Sequence, residues 1–317
     1  MKLLTVFVAA GLLAFQPAWA GAGAAREHSG AAEHETTEST DAQFRVTRVS
    51  PEYWRVTIAH PPFNIFGPDS IPQLANVIAQ IEIDPRLKVV VFESAVPGFF
   101  LTHYDFVPPL AQTTGMAAGP TGLPALPDLL VRLSRAPVVS IVSIRGRASG
   151  VGSELALASD MRFASREKAV LSQFEIGAGF TPGGGPMARL PRLIGRGRAL
   201  EILLSGNDIG GELAERYGYV NRALPDAELD AFVDALARRI ASFDKQSLLE
   251  IKDAVNRTTL PPDDAIAAEW RGFITSVQRP AAQRNIRKLM EAGLQHNAEV
   301  ETKLAKFTGR VNEPGGK

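Results

Sequence analysis

The stretch Pro137–Ala164, PVVSIVSIRGRASGVGSELALASDMRFA, constrains the fold of this chain more than any other. Val138 to Ile144 is nearly unbroken apolar sequence rich in β-branched residues. That pattern suits a strand buried on both faces, as in a parallel sheet covered on either side. Gly146, Gly150 and Gly152 then read as a tight turn, where glycine permits positive φ and a close approach of backbone. Ser153 to Ala158 opens a helix with Glu154 in its first turn. The first N–H groups of a helix have no intrahelical partner. A helix start facing a cavity is therefore a donor site for developing negative charge. Asp160 closes the helix and Met161-Arg162-Phe163 begins another strand. The glycines do not follow G-x-G-x-x-G, and the stretch holds neither G-K-[ST] nor G-x-S-x-G. Glu154 has two readings: an acid complementing the helix dipole, or a pocket acid.

The flanking sequence extends the alternation of strand and helix. Phe44 to Ile58 reads as a hairpin around Ser50-Pro51-Glu52. Ser70-Ile71-Pro72-Gln73 has the form of a capping box with proline in the first turn, starting a helix that runs to about Ile83. Leu87 to Glu93 is a further buried strand. Alternation of this kind argues for an α/β protein built from parallel units. Val107 to Leu126, rich in proline and glycine, reads as a cover over a pocket or an ordered surface excursion. A helix over Pro127–Ser134 leads back to the central strand. Beyond Gly195 come helices over Arg196–Leu204 and Gly211–Tyr217, a short strand over 218–222, and an amphipathic helix over Asp226–Phe243. Helical patterns continue through Gln246–Arg257, Pro262–Gln278 and Ala281–Gly293.

Three ordered segments carry a resemblance: the strand, glycines and E-L-A-L of Val138–Leu157; Phe174-Glu175-Ile176-Gly177; and Pro182-Gly183-Gly184-Gly185 leading into Arg189-Leu190-Pro191-Arg192-Leu193-Ile194-Gly195. Together they resemble the enoyl-CoA hydratase/isomerase (crotonase) superfamily over roughly Phe44–Arg310. The resemblance implies a crotonase-like spiral of repeated ββα units over 43–245, with an all-helical oligomerisation region over 246–317. It implies an enzyme acting on an acyl-CoA thioester, with no metal and no cofactor, coenzyme A being the carrier of the substrate. It also implies a homotrimer or homohexamer.

Site residues follow from the same resemblance. Glu154 and Glu175 fall on the two glutamates that flank one water in the family's hydratases. One acts as base toward the water and the other exchanges the proton at C2. Tyr104 and Val151 fall on the two backbone N–H donors of the oxyanion hole. His103, Gly150 and Gly183 are placed at the substrate pocket. His103, where the family has glycine, is either a structural residue bonding a carbonyl or an added acid–base group. Asp105 is expected to cap the segment after it. A structural ion pair of either glutamate with Arg147, Arg162 or Arg189 is the competing reading.

The N-terminus suggests export. Lys2, the apolar run Leu3–Phe15 and Ala18-Trp19-Ala20 form a signal-peptide pattern over residues 1–20. Residues 21–42, polar and without periodicity, read as a disordered linker. The expected location is periplasmic or secreted, or cytoplasmic if the signal is not used. No further stretch has transmembrane length. Lys+Arg and Asp+Glu are equal at 34 each, which gives no electrostatic case for nucleic acid. With no cysteine, disulfides and thiolate catalysis are excluded. Export conflicts with the cytoplasmic abundance of coenzyme A. An exported hydrolase or lyase of this fold acting on a non-CoA carbonyl, and a non-catalytic acyl-binding trimer, therefore stand as alternatives.

Overall fold

The structure is a computed structural model that describes residues 42–313. The expected signal peptide, and the expected linker up to residue 41, lie outside the described residues. Among those described, no helix is long and apolar enough to cross a membrane.

The described chain forms two sheets. The larger has the order β1 (Phe44–Ser50), β2 (Tyr53–Ile58), β3 (Val89–Ser94), β5 (Val139–Ile144), β7 (Met161–Ser165), β10 (Arg222–Leu224). The smaller has the order β4 (Gly98–Leu101), β6 (Gly146–Ser149), β8 (Val170–Ser172), β9 (Ile209–Gly210). The β1–β2 pair is an antiparallel hairpin, and the larger sheet is parallel from β2 onward. In the smaller sheet β4, β6 and β8 run parallel. Each of the pairs β3–β4, β5–β6 and β7–β8 gives one strand to each sheet and is followed by a helix. Those helices are α3 (Ala125–Arg135), α4 (Val151–Ala158) and α5 (Glu175–Ala178), with the short α2 (Leu110–Thr114) preceding α3. This repetition is the ββα spiral.

The central strands β3 and β5 are largely apolar because both of their faces are covered. Val90 and Phe92 join the main core, packed with α1 (Ser70–Ile83) and α3. Val89, Val91 and Ile141 point the other way, into a second core with Leu229, Val233 and Ala237 of α9 (Asp226–Ala241). Each such side chain contributes about 1.5–3 kcal/mol by leaving water.

Three local readings are corrected. Gly146 to Ser149 is not turn but strand β6, because β4 and β8 supply pairing partners on both of its edges. Only Gly150, at φ +52°, makes the turn. At Ser70 there is no capping box, since the N-cap of α1 is Asp69. Ser70 Oγ donates to Gln43 Oε1 at 2.6 Å and Gln73 Oε1 accepts from Gln43 N at 2.8 Å. Both side chains hold the start of β1 instead. The strand expected over 218–222 begins later, as β10, because Tyr219 and Val220 donate backward to the Ala214 carbonyl and finish α8 (Gly211–Tyr217).

The remaining helices are α6 (Pro186–Ile194), α7 (Arg196–Ser205), α10 (Lys245–Thr259), α11 (Asp263–Val277), α12 (Pro280–Glu291), α13 (Ala298–Thr302) and α14 (Leu304–Arg310). Helices α11 and α12 lay Phe273, Val277, Ala282 and Leu289 into a third core with Phe174 and Phe180. By contrast α10 buries none of its residues, and Ile251 and Val255 stay exposed.

Candidate active site

Parallel pairing of β4, β6 and β8 brings three strand ends to one place, with Leu101 beside Ala148 and Ser149 beside Ser172. Beyond those ends lie Tyr104, then Val151 and Glu154, then Glu175. All four line one cavity of about 290 Å³, together with His103 and Gly183. Gly150 sits at its edge, where a Cβ would stand 3.0 Å from Glu175 Oε1 and 3.4 Å from His103 Cα. Crevices at the carboxyl ends of parallel strands are the usual ligand sites of α/β sheets.

The backbone around Tyr104 is oriented by Phe66. Phe66 N donates to the His103 carbonyl at 3.1 Å, and Asp105 N donates to the Phe66 carbonyl at 2.8 Å. In this parallel bridge the bonds go to the residues on either side of Tyr104. The N–H of Tyr104 itself therefore points away from Phe66. Val151 is the first residue of α4, so its N–H has no intrahelical acceptor. The next residue, Gly152, donates to the Thr102 carbonyl at 3.2 Å, which holds the helix start against the Tyr104 segment. A Cβ at Gly152 would overlap the Leu101 backbone, so only glycine permits this approach.

Both glutamates are buried, at 3% and 5% exposure for Glu154 and Glu175. Burial pushes the Glu154 carboxyl up to about 7, opposed by backbone N–H groups of Gly184 and Gly183 and by the charge of Arg189. Glu154 Oε1 accepts from Gly184 N at 2.8 Å. Burial also pushes Glu175 well above the carboxylate range, and the neighbouring Glu154 charge pushes it further. Glu175 Oε2 has no hydrogen-bond partner. The two acids thus differ: one has donors that favour its anion, and the other has a bare oxygen.

No salt bridge among the described residues includes either glutamate. Arg147 pairs with Asp208 at 2.7 and 2.8 Å. Arg162 donates to the carbonyls of Tyr219 and Ser159 at 3.0 and 2.8 Å. Arg189 donates weakly to the Leu130 carbonyl at 3.5 Å and leaves its Nε unpartnered.

His103 bonds a carbonyl, as one of its two readings had it. Its Nδ1 lies 2.8 Å from the Tyr104 carbonyl oxygen, and its Nε2 lies 3.1 Å from Glu301 Oε2. Asp105 does cap the next turn, accepting from Val107 N at 2.9 Å. The 107–126 segment covers the cavity with Val107, Pro108, Pro109 and Leu110. The Tyr104 hydroxyl is hydrogen-bonded to Thr113 Oγ1 beneath it. Across the cavity stand Phe174, Phe180, Trp270 and Phe273. The rings of Phe180 and Phe273 meet edge to face, with centroids 5.9 Å apart. This apolar end can hold an acyl chain, while the two acids and two N–H groups can move protons and stabilise an oxyanion.

Sequence reading missed two further acids. Glu269 accepts from Met187 N and Ala188 N at 2.9 and 3.0 Å, holding the start of α6 and with it the Gly183–Gly185 turn. Burial raises its carboxyl to about 8. Its signal was present: Ile266, Glu269, Trp270, Phe273 and Val277 share one helical stripe, and a carboxylate on an apolar stripe is out of place. Glu301, fully buried, had no comparable signal, because α13 is too short to show a periodicity.

The sequence profile described as enoyl-CoA hydratase/isomerase matches residues 53–302. The chain is 33% identical over 216 residues to the probable enoyl-CoA hydratase EchA12 of Mycobacterium tuberculosis, covering 66% of this chain and 75% of the relative. It is 32% identical over 222 residues to the short-chain-enoyl-CoA hydratase of Clostridium acetobutylicum, covering 69% of this chain and 83% of the relative. A crystal structure assigned as an enoyl-CoA hydratase, from Streptomyces avermitilis, superposes with a TM-score of 0.82 at 38% identity, covering 87% of this chain and 99% of that one.

Proposed function

The chain belongs to the enoyl-CoA hydratase/isomerase family, and from that premise we propose that it adds water across the 2,3-double bond of an enoyl-CoA thioester. The observation that carries the proposal is the pairing of two buried acids of unequal environment in one cavity with the Tyr104 and Val151 backbone.

In this reading the thioester oxygen lies between the N–H groups of Tyr104 and Val151. Glu154 is the base, because the Gly184 N–H favours its anion. Glu175 is the acid, because burial and the Glu154 charge keep its proton on. Water bonds to C3 through its oxygen and gives a proton to Glu154. The C2–C3 π electrons move toward the thioester, and negative charge gathers on its oxygen. Fixed N–H donors stabilise that charge, each contributing about 3–4 kcal/mol to lowering the barrier. Glu175 then delivers its proton to C2, and the acid and base are restored by proton exchange through the product hydroxyl or solvent. A double-bond shift would use the same groups without the water. The proposal includes assembly through the exposed apolar face of α10 and, on the Lys2 to Ala20 pattern, action outside the cytoplasm.

The test is turnover of a four-carbon 2-enoyl-CoA, followed by loss of the conjugated thioester absorbance. Hydration that is suppressed in Glu154→Gln and Glu175→Gln supports the proposal. Tight binding of acyl-CoA with no turnover overturns it in favour of a binding protein.

A further inference from the structure

The segment His103–Phe106 is held from one side by Phe66 and from the other by the C-terminal part of the chain. The Glu301 carboxylate lies 3.1 and 3.2 Å from His103 Nε2, and accepts from Gln295 N at 2.7 Å. Gln295 reaches on to the same segment. Its Oε1 accepts from Phe106 N at 2.9 Å and its Nε2 donates to Asp105 Oδ1 at 2.6 Å. Gln295 takes positive φ, 68°, to do so, a conformation uncommon outside glycine. His103, Asp105 and Phe106 are thus each tied to the C-terminal segment, while Tyr104 between them is not. The Tyr104 carbonyl is instead turned to His103 Nδ1. With a carbonyl oxygen at one ring nitrogen and a carboxylate at the other, the surroundings favour the ring protonated on both nitrogens. The buried Glu301 charge raises His103, and His103 lowers Glu301, against the burial of both. The ring is clamped by stacking on Phe106 and edge-on contact with Phe174, each with centroids 5.6 Å away. A second tie follows next in sequence, where Arg147 of β6 donates to the Thr302 carbonyl at 2.5 Å.

An ion pair sealed at 1% and 0% exposure costs much desolvation and adds little net stability. What it does supply is a fixed geometry. We propose that Glu301 and Gln295 are positioning residues for the oxyanion hole, orienting the Tyr104 N–H through the His103–Glu301 ion pair and the Gln295 bonds to Asp105 and Phe106. This rests on the oxyanion-hole reading given above. Neither residue lines the cavity, so both act through the segment they hold. The Tyr104 donor of the hole therefore comes from the strand end of one repeat and is fixed by the C-terminal part of the chain.

The test uses the full chain and a bound enoyl-CoA with an extended conjugated chromophore. Its absorbance shifts to the red when the thioester carbonyl is polarised. Wild-type protein is expected to produce the shift, and Glu154→Gln is expected to keep it while losing turnover. Glu301→Gln and Gln295→Ala are expected to diminish the shift and lower kcat by at least about tenfold, with KM changed less than about threefold. Glu301→Asp should recover part of both. If Glu301→Gln does not fold, Gln295→Ala, which leaves the ion pair in place, carries the same comparison. A full red shift in Gln295→Ala or in folded Glu301→Gln overturns the positioning role while leaving the oxyanion hole standing. Absence of any shift in wild type overturns the oxyanion-hole reading, and this inference with it.

Discussion

Glu154 and Gly184 touch: the carboxylate Oε1 accepts the glycine N–H at 2.8 Å, and a Cβ on Gly184 would overlap the same carboxylate. The contact joins the start of α4 to the Gly183–Gly185 turn, and the glycine N–H opposes the upward push of burial on the Glu154 carboxyl. The obstructing atom would meet the mobile end of a side chain, so the fold can absorb it and the carboxylate cannot. Gly184→Ala is expected to leave the thermal midpoint nearly unchanged and to lower kcat by at least about tenfold. Paired melting and steady-state measurements check this; near-normal kcat would remove Glu154 from the mechanism.

The two acids are expected to act as a unit. Glu154→Gln and Glu175→Gln keep volume and remove proton transfer, so each should reduce turnover by about a hundredfold or more while acyl-CoA still binds. The double variant should be little worse than the worse single variant. Near-normal turnover in both single variants would show that the two-glutamate mechanism is wrong.

Turnover should follow a bell in pH. The base form of the pair must be present, and the Glu154 carboxyl sits at about 7. The acid form of Glu175 must persist, and its carboxyl is raised well above the ordinary range. The rising limb is expected near pH 7 and the falling limb above it, as two apparent values of the coupled pair. Measuring kcat from pH 5 to about 10 checks this; a profile flat across that range contradicts it.

Glu269 should weaken the fold as pH rises. Its carboxyl goes from 4.5 to about 8 on burial, chiefly by loss of water. A value raised by folding means stability present in full below the unfolded value and lost as pH climbs through the folded one. The window is therefore about pH 4.5 to 8, with an effect on the order of a few kcal/mol. Glu154 and Glu175 add the same sign, so Glu269→Gln should flatten the slope without abolishing it. Denaturant titrations of both proteins at pH 5 and about pH 8.5 test the difference. Equal slopes would place the proton elsewhere.

Helix α10 is expected to be an interface. It buries none of its residues, and Ile251 and Val255 are 66% and 54% exposed. Light scattering is expected to give a trimer or hexamer, and Ile251→Asp with Val255→Asp to lower the mass. A monomeric wild type at micromolar concentration would contradict this.

The residues that line the cavity were legible in part, because the motifs that carry the resemblance lie within short windows. The apolar run Val138–Ile144 announced a strand buried on both faces, and the resemblance carried by the Val138–Leu157 and Phe174–Gly177 segments pointed to Glu154 and Glu175. The reading failed where partners are distant. Gly146–Ser149 looked like turn because only pairing with β4 and β8 makes it strand. The Ser70–Gln73 pair looked like a cap because Gln43, which claims both side chains, is some thirty residues away.

What the sequence by itself determined is therefore the alternation of strand and helix around Val138–Ile144 and, through its resemblance to a family, which two acids to look for. The alternation is a property of windows a few residues wide, governed by periodicity and by which residues can turn the backbone, whereas the two acids follow from the ordered motifs that carry the resemblance. What only the tertiary structure decided is how those acids differ. Glu154 meets the N–H of Gly184, Glu175 Oε2 meets no donor, and Glu301 closes on His103 from 198 residues away. Proton affinity in a buried site depends on the few dipoles and charges within several ångströms. Only the fold brings those together.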